Sequence, residues 1–335
     1  MNPKLTFFCE LEQDALQELF GEPDVLDSLV ELKASVSMGI LDLSLERAEI
    51  IRKLNHAGIQ VIGWLLLPKD EGYWFNLGNA PQAVTRYADF KTWTLENKLQ
   101  WQGVGIDIEP DIREMEGLMQ GKAASLIPIL RRILSARTLN DARVTYWNLV
   151  YQMRMDGYRV DSYHFPFIVD ERRVGASLLQ RVAGLLDLPS DREVLMLYSS
   201  MIRPYGPGVL WSYASEAESV GVGVTGGGVQ MEGVSEIRPL DWIEFSRDLR
   251  LARRQSDDIH VFSLEGCVQQ GFLERLKTFE WEGPVNLPLD QARKTNVVRR
   301  GLQGFLWGSA HPFLILAGLY GIKWLISRRI PRKKK

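Results

Sequence analysis

Asp107 and Glu109 stand at alternate positions where an apolar run ends, in the stretch GVGIDIE at residues 103–109. Residues two apart in a strand share a face, so both acids point the same way, as do Gly103 and Gly105. Stacked carboxylates repel, and that repulsion raises the pKa of one of them and keeps it protonated near neutral pH. An acid held in this way is suited to general acid–base catalysis. The competing reading is a structural pair neutralised by an arginine such as Arg113 or Arg143. The glycines imply that a ligand or a bulky neighbour presses against the row.

Such a row needs a scaffold that delivers strand ends to one place. Strand-like runs fall at 4–10, 29–38, 59–67, 103–109, 143–149, 159–165, 193–199 and 260–266. Amphipathic stretches separate them, as in SLERAEIIRKLNHAG, where Ala48, Ile51 and Leu54 recur at helical spacing and Gly58 follows as a C-cap. Eight strand–helix units predict an α/β fold, a closed parallel (β/α)8 barrel over residues 1–290. In that fold the C-terminal strand ends form the active-site mouth. Glu10 and Glu265 then project into the same mouth as Asp107 and Glu109. Residues 203–240, rich in glycine, read as an insertion on the loop face. Within it GVGVTGGGV lacks the Lys-Ser/Thr of a phosphate-binding loop.

Aromatic residues gather at predicted strand ends. Trp64 is in the third strand and Trp74 in the loop after it, with Tyr146, Trp147 and Asn148 ending the fifth run and Tyr163 and His164 the sixth. Flat apolar faces beside polar edges suit sugars, which present C–H faces and many hydroxyls. No pair of histidines occurs at strand ends, so a histidine-rich metal site is not expected. Glu10, Asp107, Glu109 and Glu265 offer an alternative oxygen-ligand site for Mg²⁺ or Mn²⁺, the equipment of a barrel lyase, isomerase or phosphodiesterase. Cys9 and Cys267 read as buried free thiols.

QGVGIDIE, residues 102–109, resembles the strand-four signature of the chitinase-like glycoside hydrolases of family eighteen, D-G-x-D-x-D-x-E. Gln102 and Gly105 depart from it where acids are usual. The resemblance implies a barrel in which Glu109 protonates the glycosidic oxygen and Asp107 orients the substrate N-acetyl group. It also implies a tyrosine near the end of strand six, taken here as Tyr163, although the usual M-x-Y-D sequence is absent there. Where that family ends strand eight with tryptophan, this sequence has Glu265. IEPD is also similar to the N-E-P motif of a large clan of retaining glycosidases, with Ile108 in place of asparagine. That clan's second acid is missing from LMLYSS at 195–200.

The 335 residues carry a net charge of −2, with 45% hydrophobic and 24% charged side chains, so a large core is expected and nucleic acid is not a predicted partner. MNPKLTFFCELEQD lacks the basic start and long apolar run of a signal peptide. A linker is expected at 291–303. A hydrophobic helix at 304–327 then approaches the roughly 20 residues of a membrane span, and the basic tail 328–335 follows it. These features predict membrane association, on a side the sequence does not specify. The expected function is a glycoside hydrolase-like barrel that cleaves or binds carbohydrate without a cofactor. A metal-dependent barrel enzyme and a degenerate glycan-binding or membrane-scaffold barrel are the alternatives.

Overall fold

The computed structural model describes residues 2–231, 237–314, 317 and 320. Eight parallel strands close into a barrel in sequence order, with β1 pairing both β2 and β8. They are β1 (Lys4–Cys9), β2 (Ser35–Ile40), β3 (Val61–Leu65), β4 (Gly103–Asp107), β5 (Arg159–His164), β6 (Arg192–Met196), β7 (Ser219–Gly223) and β8 (Asp258–Phe262). Alternation along the strands divides the apolar residues between two cores. Phe8, Trp64, Tyr163 and Val194 fill the barrel. Phe7, Cys9, Val104, Ile106 and Val160 face the surrounding helices. Strands buried on both faces lose the polar alternation of a surface sheet, which is why the runs read as continuously apolar.

The helix Leu45–His56 forms as its sequence predicts, with Ser44 capping the Arg47 N–H and Ala48, Ile51 and Leu54 buried. Two strand assignments need correction. Residues 143–149 lie inside the helix Ala136–Met155. Its buried residues Leu139, Ala142, Tyr146, Leu149, Val150 and Met153 follow a helical period, which overrides the β propensity of Val, Thr, Tyr and Trp. The strand that completes the barrel is β7, inside the segment expected as an insertion. That segment also holds the helix Gly206–Ala214.

The expected linker is helical as well. Residues 291–303 belong to the helix Leu289–Ala310, which packs against the helices Gly206–Ala214 and Phe167–Val174. Arg299 fixes it there: its guanidinium lies 3.7 Å from the Tyr213 ring centroid and pairs with Asp170 at 2.9 Å and Glu216 at 2.7 Å. This helix takes up 304–310, the first part of the expected hydrophobic helix. No helix among the described residues is long and apolar enough to cross a membrane. Residues 321–327 and the basic tail 328–335 lie outside the described residues.

Candidate active site

Four carboxylates reach the C-terminal mouth of the barrel. Glu10 follows β1, Asp107 ends β4, Glu109 lies two residues beyond it, and Glu265 sits in the first turn of the helix Leu264–Gln269. Asp107 is 2% exposed and Glu10 is 7% exposed, whereas Glu109 and Glu265 are half-buried. The Tyr73 hydroxyl donates to Glu10 Oε1 at 2.6 Å, and the Glu10 amide donates to Glu265 Oε1 at 3.4 Å. Among the described residues no lysine, arginine or histidine forms an ion pair with any of the four. The opening carboxylate run therefore divides: Asp111 is neutralised by Arg113, and Asp107 and Glu109 are not.

Charge without a counter-charge shows in the proton affinities. Burial, then the charge of Glu265 and Glu109, lifts Glu10 to about 8 against the Tyr73 hydrogen bond. Burial lifts Glu109 to about 8 and Glu265 to about 7. Asp107 is pushed well above the usual carboxylate range by burial, by Glu109 and by Glu10. The Trp64 indole N–H lies near enough to Asp107 to oppose that rise. It does not complete a hydrogen bond of ordinary geometry, because Trp64 Nε1 and Asp107 Oδ1 are both buried without a partner. Glu265 Oε2 is unpartnered too. Buried polar atoms of this kind carry a desolvation cost of about 1–3 kcal/mol each, which a bound polar group would relieve.

The expected residues do not all converge here. Trp64 lines the barrel above Phe8, with ring centroids 5.3 Å apart, and Trp74 packs edge-on against Tyr73 at 5.0 Å. Tyr163 sits deeper, fully buried, its hydroxyl 2.7 Å from Ser37 Oγ. It belongs to the fifth strand, not the sixth. Its phenol occupies the space above Gly105, where an added Cβ would collide with the ring at 2.8 Å. The bulky neighbour implied by the glycine is thus a side chain of the protein. His164, the next residue, faces outward into the helical layer, as strand alternation requires. Tyr146, Trp147 and Asn148 do not end a barrel strand, because their segment is a helix. Tyr146 is buried and donates to the Asn76 carbonyl at 3.0 Å, and Trp147 is exposed on the flank.

Two mouth residues escaped the sequence reading. Tyr73 was passed over in favour of its neighbour Trp74, yet its backbone adopts φ +64°, a strained value that the packing around it maintains. Tyr198 follows β6, the true sixth strand, and is 8% exposed. Burial, then the charges of Asp107, Glu109 and Glu10, holds its hydroxyl protonated. Its signal was present as Met196-Leu197-Tyr198, hidden by the misnumbered strands. Backbone amides of Gly228 and Val229, in the glycine-rich loop after β7, lie near enough to oppose the rise at Glu265 and Glu10.

The opposite end of the barrel is also charged. Arg192 bridges Asp161 and Asp258, the latter at 2.8 Å, and Arg159 Nε meets Asp161 at 3.0 Å. Pairing of this kind marks the stability rim of such barrels.

The fold defines the class: a closed (β/α)8 barrel protein with an acidic mouth. No family model matches the chain, and no curated protein matches it. Solved structures similar to it are TIM-barrel proteins. The glycoside hydrolase domain of PgaB (BpsB) from Bordetella bronchiseptica shares 10% identity, with 85% of this chain and 100% of that chain covered and a TM-score of 0.49. A D-allulose 3-epimerase from Methylomonas sp. shares 9%, with coverage of 94% and 98% and a TM-score of 0.41. A xylose isomerase domain protein from Planctomyces limnophilus shares 12%, with coverage of 82% and 93% and a TM-score of 0.42.

Proposed function

We propose that this chain is a glycoside hydrolase-like barrel in which Glu109 is the general acid/base and Asp107 its electrostatic partner. The observation that carries the reading is the pair itself: consecutive same-face carboxylates at the end of β4, both raised in pKa, with no cation paired to either. A carboxyl group near pKa 8 is protonated at neutral pH and can donate to a leaving glycosidic oxygen. Tyr198 supports the family-eighteen resemblance better than Tyr163 does, since it follows strand six within Met196-Leu197-Tyr198 and feels the charge of both acids. Ser199 stands where that pattern has aspartate, and Gly105 where the strand-four signature has its middle acid. Asp107 therefore takes its perturbation first from burial and then from Glu109 and Glu10, with no acid at position 105 to add to it. Tyr73, Trp64 and Trp74 supply a donor and aromatic surface for a sugar.

The second reading is a divalent-metal barrel enzyme, favoured by the four carboxylates lacking counter-charge. Against it, among the described residues the mouth acids do not gather their ligand atoms within 4.8 Å of one another, as a preformed site would; the one group that does lies elsewhere. Hydrolysis of a panel of aryl glycosides, N-acetylglucosaminide included, tests the proposal. Turnover that resists a chelator and is lost in Glu109→Gln supports it. Turnover abolished by the chelator selects the metal reading.

A further inference from the structure

On the flank of the barrel, outside the mouth, three ligand-type side chains converge. His164 leaves β5 outward, Glu193 leaves β6 on the same side, and Asp187 comes from the segment before β6. One ligand atom from each lies within 4.8 Å of the other two. His164 is 2% exposed, and its Nε2 is buried with no hydrogen-bond partner. Beside the acids opens a cavity of about 340 Å³ bordered by Trp147, Leu188, Ser190 and Glu218.

We propose that His164, Asp187 and Glu193 bind a divalent cation of the zinc class, and that Arg172 latches the site when no metal is bound. In the latched arrangement Arg172 Nη2 bridges Asp187 Oδ1 and Glu193 Oε1, both at 2.6 Å, while Nε holds Asp187 Oδ2 at 2.9 Å. The guanidinium stands in for a cation between two carboxylates, and the unpartnered imidazole is the ligand it cannot use. An arginine has no acceptor, and a neutral imidazole nitrogen needs either a proton donor or a metal.

One nitrogen and two carboxylate ligands suit zinc or its first-row neighbours better than calcium or magnesium, which favour all-oxygen shells. Ligand atoms on a tetrahedral zinc stand roughly 3.3 Å apart, so the side chains need to close by about 1.5 Å or less. Arg172 has a side chain 44% exposed and can swing to solvent without leaving a buried charge behind. The cavity leaves the fourth coordination position open to water or to a ligand lying against Trp147. The metal would tie β5, β6 and the segment between them together.

Cobalt(II), read by its visible absorption, and zinc, read by titration calorimetry, test the site on the full chain at pH 7.5. The expected result is one equivalent bound, with affinity at least about tenfold lower in His164→Gln and in Asp187→Asn. Arg172→Gln should raise affinity by up to about tenfold, because a competing cation has been removed. Arg172→Ala removes the same cation and gives the same reading if the glutamine variant is poorly folded. Absence of binding at millimolar metal in both the parent and the Arg172 variants overturns the proposal. So does binding that survives His164→Gln but is lost in Glu10→Gln or Glu109→Gln, since the metal would then be in the mouth.

Discussion

The two ends of the barrel interior use the same residue type to opposite effect. At the base, Asp161 is fully buried and Asp258 half-buried, yet arginines meet both, and Asp258 is held well below the ordinary carboxylate range by its partners in spite of its partial burial. At the mouth, Asp107 and Glu10 are buried, meet no cation and are driven upward. Burial alone therefore does not decide what an acid does. A paired acid ties strands together, whereas an unpaired one keeps a proton and an unsatisfied oxygen for something that is not protein. The difference matches the division of labour between the two faces of a (β/α)8 barrel.

Experiments can break either end. The largest expected effect is at the mouth: Glu109→Gln should reduce kcat on an aryl glycoside by about 10²–10⁴-fold. The parent's activity should also fall as pH rises through about 8, where Glu109 gives up its proton. A rate that stays flat to pH 10 would remove Glu109 from the role of acid.

At the base, Arg192→Met leaves Asp258 without an arginine and Asp161 with Arg159 alone, and should cost about 3–5 kcal/mol in chemical denaturation. That deficit should shrink in acid, as the abandoned carboxylates protonate. An unchanged midpoint would mean that the pairing contributes little and that the two ends of the barrel do not differ in what their acids do for stability.

Glu10→Gln reverses the sign. Its folded pKa of about 8 lies above the unfolded value, so the native state binds the extra proton and loses stability as pH rises from about 4.5 to 8. The glutamine variant, whose amide oxygen still accepts from Tyr73, should match the parent near pH 4 and exceed it by on the order of 2 kcal/mol at pH 9. Thermal unfolding at the two pH values checks this.

The smallest effect separates the two tyrosines. Tyr163→Phe should cost about 1 kcal/mol of stability, through the lost Ser37 contact, and change kcat only severalfold. Tyr198→Phe should lower kcat more than Tyr163→Phe does. Equal losses would return Tyr163 to the site.

Much of the site was legible because β4 is short and its signals agree. Gly103 and Gly105 mark close approach, and the alternation of Asp107 and Glu109 assigns them one face wherever the strand lies. Glu10 and Glu265 were legible for the same reason, as acids just past strand ends. The 143–149 stretch was not, since Val144, Thr145, Tyr146 and Trp147 have a strand's propensity while the buried positions around them keep a helix's period. Nor was β7, whose SVGVG has the small residues of a loop. Its glycines are explained by packing: a Cβ on Gly223 would meet the Phe262 carbonyl at 2.7 Å and the Tyr198 ring at 3.2 Å.

By itself, then, the sequence determined a repeating strand–helix chain, an apolar supply for two concentric cores, and acids placed where strands stop. Those are consequences of local period and composition. Tertiary structure alone decided which run is the fifth strand, which tyrosine follows the sixth, and which carboxylates find an arginine. Barrel closure fixes those by register between segments far apart in the chain, and a charge's partner across such a distance leaves no mark on its own neighbours in sequence.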